Sequence, residues 1–143
     1  MSKPEVRYFQ SKYNKLSGSS HTEIYGQARK FYNSIISKTH RQPYIRSAFF
    51  GSKVFLELFW VHNAQKYRGE QMRRLKYYIC AIDLLQHSKI PPSSKPNPNN
   101  SKEVYHRFYG LSREGNEFWV QVKEDKRTGS KYMVSIAPPR HKK

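Results

Sequence analysis

The spacing of hydrophobic residues changes along the chain, from helical spacing in the first half to alternation in the last third. Between Thr22 and about Ser37, apolar residues recur every three or four positions, as they do on one face of an amphipathic helix. Ser20 or Thr22 can cap that helix. A second such face runs over Glu70–His87, after a break at Gly69. The first half is therefore predicted to be mainly helical.

Two segments between these helices are harder to assign. Ser52–Ala64 is dense in large apolar residues and fits either a buried helix or a strand. Its length favours a helix, with Ser52 as the cap. The preceding segment, Tyr44–Phe50, follows Pro43 and is predicted to be extended, ending at Gly51.

The last third of the sequence alternates between apolar and polar residues with a period of two. The alternation predicts three strands, at Val104–Leu111, Glu117–Lys123 and Lys131–Ala137. Short turn-forming segments join them, which indicates an antiparallel meander. The segment before them, Ile90–Ser101, is rich in proline and asparagine and is predicted to form a connector without regular structure.

Together these elements predict an α+β fold, in which N-terminal helices pack on a C-terminal antiparallel meander sheet of three to four strands. A length of 143 residues fits one domain. The expected organisation is a flexible N-terminal segment (1–20), a single domain (21–137) made of a helical part (21–89), a Pro/Asn-rich loop (90–102) and a sheet (103–137), and a basic tail (138–143).

The alternation also separates the two sides of the predicted meander. One side is apolar and should cover the helices. We expect it to carry His106, Phe118, Val120, Val122, Tyr132, Val134 and Ile136. The other side should remain open and carry Tyr105, Arg107, Tyr109, Trp119, Gln121, Lys123, Lys131, Met133 and Ser135. A β-bulge near the start of the first strand could reverse the sides of His106 and Arg107.

The charge of the chain points to a polyanionic partner. The formal net charge is +17, from 27 Lys and Arg against 10 Asp and Glu, and each third of the chain is positive by itself. The one cysteine, Cys80, cannot form an intrachain disulfide and indicates a reducing compartment. No apolar run approaches the ~20 residues that cross a bilayer. We therefore expect a cytoplasmic protein that does not enter a membrane.

Cations mixed with aromatic rings are typical of surfaces that bind RNA, because the cations hold phosphates and the rings stack on bases. A stretch from Glu23 to Glu57 without carboxylates adds further basic residues. Alternatively, the rings pack against the N-terminal segment or a second subunit. The predicted nucleic-acid-binding residues are Arg29, Lys30, Arg41, Arg46, Arg73, Arg74, Lys76, Tyr105, Trp119 and Lys131.

The chain contains no metal-binding motif, and its six histidines are scattered, so we expect neither a metal nor another cofactor. Metal-independent RNA cleavage needs fewer groups from the protein than metal-dependent cleavage does, because the 2′-hydroxyl of the substrate is the nucleophile. The protein supplies a proton acceptor and donor, and cations for the charge that develops on the phosphate. On the predicted sheet, His106 would be the general acid or base, Arg107 and Lys123 would stabilise the phosphate, and Ser135 would position it.

These sheet residues resemble a known group of ribonucleases. The segments His106–Phe108, Phe118–Lys123 and Met133–Ile136 are similar to the barnase/EndoU/colicin E5–D/RelE group, and most similar to its phage- and mobile-element-associated branch. The resemblance covers residues 104–137. It implies a metal-independent, toxin-like endoribonuclease, often held inactive by an acidic inhibitor or antitoxin. The sheet departs from the group in lacking a clear glutamate base.

Two alternatives to a ribonuclease remain. In the first, the same open side of the sheet is a docking surface of a non-catalytic RNA-binding module. In the second, the positive charge serves an adaptor that binds an acidic protein partner and no RNA.

Overall fold

A computed structural model describes residues 7–39 and 42–139. Within these ranges, four helices and seven strands form. The helices are α1 (His21–Ile36), α2 (Glu57–Ala64), α3 (Arg68–Leu75) and α4 (Tyr78–His87). The strands are β1 (Phe9–Gln10), β2 (Tyr44–Arg46), β3 (Lys53–Phe55), β4 (Ser93–Asn97), β5 (Asn100–Leu111), β6 (Glu117–Asp125) and β7 (Lys131–Ala137). No helix in the described part of the chain is long and apolar enough to cross a membrane.

All of the described strands belong to one mixed sheet. Its order is β1-β5-β6-β7-β3-β2, and β4 pairs with β5 along the same edge as β1. Strands β5, β6 and β7 form an antiparallel meander, whereas β1 is parallel to β5 and β3 is parallel to β7. The predicted α+β fold with an antiparallel meander of three to four strands is therefore wrong. The protein has a mixed α/β fold with a larger, curled sheet.

The strands that the sequence analysis missed are short and lie at the margins of the sheet. The segment Ser52–Ala64, predicted to be one helix, instead contains β3 followed by α2. The proline-rich segment 90–102 contributes β4, which includes Pro96. Proline is tolerated there because an outer strand leaves half of its N–H groups unpaired. Strands of two to five residues carry too little alternation to be recognised from the sequence alone.

The predicted long helix Glu70–His87 is divided into α3 and α4. At the junction the N–H of Tyr77 bonds to the carbonyl of Arg74, a tighter pattern than that of an α-helix, and Tyr77 has φ −98° and ψ 9°. The Tyr77 ring then stacks on Phe118 of β6, with centroids 5.4 Å apart. The break lets α3 lie against β7 while α4 packs on β5.

The hydrophobic core lies between the sheet and the helices. Helix α4 approaches the sheet so closely that a Cβ at Gly110 of β5 would lie only 2.7 Å from Cδ1 of Leu84. Helix α1 packs beside α3 and α4 through Ile24, Ala28 and Tyr32. The N-terminal segment joins this core as well, because the buried Ser11 donates a hydrogen bond from Oγ to Oδ2 of the buried Asp83 at 2.8 Å.

A register shift in the β6–β7 pair changes which side chains of β7 face the helices. Gln121 lies opposite Ser135, but the next residue, Val122, lies opposite Met133, so Val134 is the extra residue of a β-bulge. As a result Met133 is fully buried and Tyr132 lies opposite Lys123. The predicted sides of Lys131, Tyr132 and Met133 are therefore reversed, whereas Ser135 and Ile136 lie on the predicted sides.

Candidate nucleic-acid interface

The face of β5, β6 and β7 that points away from α4 carries polar and aromatic side chains, and we call it the open face. On β5 and β6, strict alternation selects these side chains, because the register between the two strands is unbroken from Glu103 to Leu111. Every one of them is partly exposed. The open face consists of Tyr105, Arg107, Tyr109, Trp119, Gln121, Lys123, Tyr132 and Ser135.

At the centre of the open face, an arginine lies over a tryptophan ring. The Arg107 guanidinium is 4.1 Å from the centroid of the Trp119 ring, within the range of a cation–π interaction. Its Nη2 also donates to Oε1 of Gln121 at 3.3 Å. At one end, Tyr109 meets the ring of Tyr8 edge-on, with centroids 6.1 Å apart. These contacts fix a flat guanidinium plane on a partly exposed surface.

A hollow of about 190 Å³ lies between this arginine and the outer strand β4. It is smaller than the ~300–1,000 Å³ of sites for drug-sized ligands, which suits a single flat ring system. Cations and tyrosines both contribute to its walls. The lining residues are Ser93, Lys95, Pro96, Pro98, Tyr105, Arg107, Tyr109 and Gln121.

The other end of the open face borders α2. There the Lys123 ammonium group lies 3.4 Å from Oε2 of Glu103 and 5.8 Å from the centroid of the Tyr132 ring. A second hollow, of about 430 Å³, separates Lys123 and Tyr132 from the α2 side chains Leu58 and Val61. This hollow continues the open face toward α2.

The α2 residue His62 was not identified from the sequence, although it lies within electrostatic reach of Lys123. Partial desolvation lowers the pKa of His62, and the positive charges of Lys123 and Lys66 lower it further. Both effects favour the neutral, proton-accepting form of the imidazole. Sixty residues separate His62 from Lys123, so no local sequence pattern could have connected them.

The structure does not bring the predicted catalytic set together. Arg107, Lys123 and Ser135 share the open face, but His106 lies on the opposite side of the sheet. There its ring packs edge-on against Phe50, with centroids 5.0 Å apart. His106 therefore cannot act on a phosphate that is bound by the three other residues.

The predicted basic residues of α3 are engaged inside the protein. Arg73 and Arg74 both bind the carboxylate of Glu70, at 3.1 Å and 2.7 Å. Their remaining N–H groups donate to the backbone carbonyls of Pro138 and Ile136. These two side chains thus connect α3 to β7, and both guanidinium groups are engaged by partners within the protein.

The remaining predicted nucleic-acid-binding residues are dispersed. Tyr105 and Trp119 lie on the open face, whereas Lys131 lies on the opposite side, 3.9 Å from Oε2 of Glu124. The Arg29 guanidinium stacks over the rings of Tyr32 and Trp60 on the helical side. Lys30 and Arg46 are exposed and Lys76 is partly exposed, all three outside the open face, and Arg41 lies outside the described residues.

Within residues 7–39 and 42–139, no group of three His, Cys, Asp or Glu side chains is arranged to hold a metal ion. On the open face, the groups that can contact a ligand are the side chains themselves. Arg107 and Lys123 supply positive charge, Trp119 and the tyrosines supply ring faces, and the Gln121 amide supplies hydrogen bonds.

Comparison with known proteins identified no relative of this chain. No family model matches the chain, and neither a curated protein nor a solved structure is significantly similar to it.

Proposed function

We propose that this protein binds single-stranded RNA on the open face of its sheet. The observation that carries the proposal is the Arg107 guanidinium held 4.1 Å above the Trp119 ring, between Tyr109 at one end of the face and Lys123 at the other. Unpaired bases stack on aromatic rings and on guanidinium planes, while ammonium groups hold the phosphates between them. A partly exposed sheet face with both kinds of group suits a single strand.

The charge of the whole chain supports the same partner. A net charge of +17 attracts a polyanion over a distance of about a Debye length, and phosphate contacts release counterions from the nucleic acid. The hollow beside Arg107 adds a place for one base, with Lys95 at its rim. A duplex offers no unstacked base to this hollow, so the proposal includes a preference for single strands.

The test is a titration of short fluorescent single-stranded RNA with the protein and its variants. Arg107→Ala and Trp119→Leu should each weaken binding about 5- to 100-fold, because one base–ring contact contributes ~1–3 kcal/mol. Arg68→Ala is the matched control, since it removes one positive charge from an exposed position on α3. This variant should change the affinity for RNA only slightly, as expected for the loss of one charge far from the binding site.

Two results would contradict RNA binding on the open face. One is an equal loss of affinity in all three variants, which would indicate diffuse electrostatic attraction without a site. The other is an absence of RNA binding by the wild-type protein at low KCl concentration. In that case an acidic protein partner, such as an inhibitor, becomes the better explanation of the charge.

Metal-independent cleavage of the bound RNA is a second candidate function, and the position of His62 favours it. The charge of Lys123 contributes to the lowered pKa of His62, and a neutral imidazole can accept the 2′-hydroxyl proton while the Lys123 ammonium group stabilises the phosphate. This version replaces His106 by His62 and corresponds to the toxin-like activity that the sheet residues predict. It also accommodates an acidic inhibitor as partner.

Cleavage is tested by incubating RNA with the protein in excess EDTA. His62→Ala and Lys123→Ala should each abolish cleavage, whereas His106→Ala should retain it because that ring lies on the other side of the sheet. If RNA stays intact while binding persists, the protein is a binding module only.

A further inference from the structure

Three polar side chains from neighbouring strands meet on the side of the sheet opposite the open face. Ser94 of β4 lies directly across from His106 of β5. Glu124 of β6 lies across from Val104, two residues along β5 from His106. Because side chains two positions apart share a face of a strand, the pairing places Ser94, His106 and Glu124 in one row.

The row is connected by two short hydrogen bonds. Oγ of Ser94 is 2.7 Å from Nδ1 of His106, and Nε2 of His106 is 2.7 Å from Oε1 of Glu124. An ionised carboxylate can only accept, so Nε2 carries the ring proton of the neutral histidine. Nδ1 is then an acceptor, and the Ser94 hydroxyl donates its proton to it.

The surroundings hold the imidazole still and leave the hydroxyl accessible. The His106 side chain is only 12% exposed and packs against Phe50, whereas Ser94 is exposed on the outer strand. The Lys131 ammonium group lies 3.9 Å from Oε2 of Glu124 and 4.9 Å from the centroid of the Phe50 ring. A positive charge therefore lies next to the Glu124 end of the row.

We propose that Ser94 is an acylatable nucleophile, with His106 as its general base and Glu124 as the positioning residue. The order hydroxyl–imidazole–carboxylate is the one that activates serine in hydrolases on unrelated folds, with the difference that here the serine bonds to Nδ1 and the carboxylate to Nε2. The substrate class is small carboxylic esters, because the hydroxyl lies on an exposed strand and small acyl groups need no deep binding cleft. This site is independent of the proposed RNA binding, since it lies on the other side of the sheet.

The reaction proceeds in two balanced steps. In the first, Oγ of Ser94 attacks the carbonyl carbon while its proton moves to Nδ1 of His106. The ester C–O bond then breaks, and that proton passes to the leaving alcohol. In the second step water attacks the acyl-serine and gives a proton to His106, the bond to Oγ breaks with return of that proton to Oγ, and the free acid leaves.

The first experiment treats the full-length protein with a fluorophosphonate probe and locates the adduct by mass spectrometry. The wild-type protein should be labelled at Ser94, and Ser94→Ala should not be labelled. Ser101→Ala is the matched control, because this serine is exposed on the neighbouring strand β5. It should be labelled at the wild-type rate.

The second experiment separates the base from the positioning residue. His106→Ala should slow labelling about 100-fold, and added imidazole should restore part of the rate. Glu124→Gln should lower the maximal labelling rate without changing the probe concentration that gives half of it. The rates at which the wild-type protein and these variants hydrolyse p-nitrophenyl acetate should follow the same order as their labelling rates. Labelling of the wild-type protein that is no faster at Ser94 than at Ser101, or an unchanged rate in His106→Ala, would overturn the proposal.

Discussion

At the scale of single residues, the ion pairs of α3 show how a basic cluster can serve the fold. Glu70 is only partly exposed and receives hydrogen bonds from both Arg73 and Arg74. The hydrogen bond from Arg73 is the main cause that lowers the pKa of Glu70, and Arg74 adds to it against the opposing effect of burial. The sequence shows the charges but cannot show that a carboxylate three residues from Arg73 and four from Arg74 binds both guanidinium groups.

The lowered pKa of Glu70 predicts a pH-dependent contribution to stability. A carboxyl group whose pKa is lower in the folded state stabilises the protein above its ordinary pKa of 4.5, and this stabilisation is lost as the pH falls through the folded value. Glu70→Gln should therefore unfold at lower urea concentration than the wild-type protein at pH 7. The difference should shrink steadily below pH 4.5. A difference that stays constant over this range would contradict the assignment.

Two glycines make a matched pair for a second prediction. A Cβ at Gly110 would lie 2.6 Å from Cζ of Phe118 and 2.7 Å from Cδ1 of Leu84, whereas a Cβ at Gly26 would touch nothing within 4 Å. Gly110→Ala should therefore destabilise the protein by ~1–3 kcal/mol through overpacking. Gly26→Ala lies within α1 and should stabilise it by ~0.5–1 kcal/mol. Urea unfolding curves of both variants measure whether the two changes in the free energy of unfolding have opposite signs.

At the scale of secondary structure, the sequence predicted the central elements and missed the marginal ones. The three strands of the meander were predicted within a few residues, and β7 at its observed bounds, because long half-buried strands alternate clearly. The division of Glu70–His87 was missed because a tightened turn preserves the helical spacing of apolar residues across Lys76 and Tyr77. Short strands such as β3 are determined by their partners and not by their own sequence.

The candidate site was predictable only where the pairing is regular. Alternation alone placed Arg107, Trp119 and Lys123 together, because the β5–β6 register is unbroken. The bulge at Val134 could not be predicted, because the residues of β7 alternate without a break across it and only the pairing with β6 reveals the extra residue. His62 and Ser94 are brought to their partners only by the tertiary fold, so no local sequence pattern could have identified either.

The cap of α1 gives a prediction at this scale. Oγ of Ser20 accepts a hydrogen bond from the N–H of Glu23 at 3.2 Å, which satisfies one of the free N–H groups of the first turn. Ser20→Ala should therefore cost ~1 kcal/mol in the free energy of unfolding. Thr22→Ala is the control, since Thr22 was the other capping candidate and lies inside the helix. Comparable losses in both variants would show that α1 begins elsewhere.

At the scale of the whole molecule, the excess of positive charge opposes folding. Ions in solution screen the repulsion between cations, so the protein should become more stable as the KCl concentration rises. We expect a gain of about 1 kcal/mol, or roughly 4 °C in Tm, between low and physiological KCl. Thermal unfolding followed by circular dichroism measures it.

The control for this prediction lowers the charge itself. Lys30 and Arg68 are both exposed, and a variant with Lys30→Gln and Arg68→Gln should have a higher Tm at low KCl and a smaller response to salt. A Tm that decreases with KCl would mean that favourable ion pairs outweigh the repulsion.

The order of the strands has a consequence for synthesis of the chain on the ribosome. Both outer ends of the sheet, β1 and β2, come from the first 46 residues, while the strands between them include β5 to β7, from residues 100 to 137. At a synthesis rate of about 5–20 residues per second, β5, the partner of β1, is made roughly 5–20 s after β1. Throughout this time the apolar face of α1 lacks the β5–β7 part of the sheet, and so does α4 once it has been made. The nascent chain therefore completes its core only when the last third has been made.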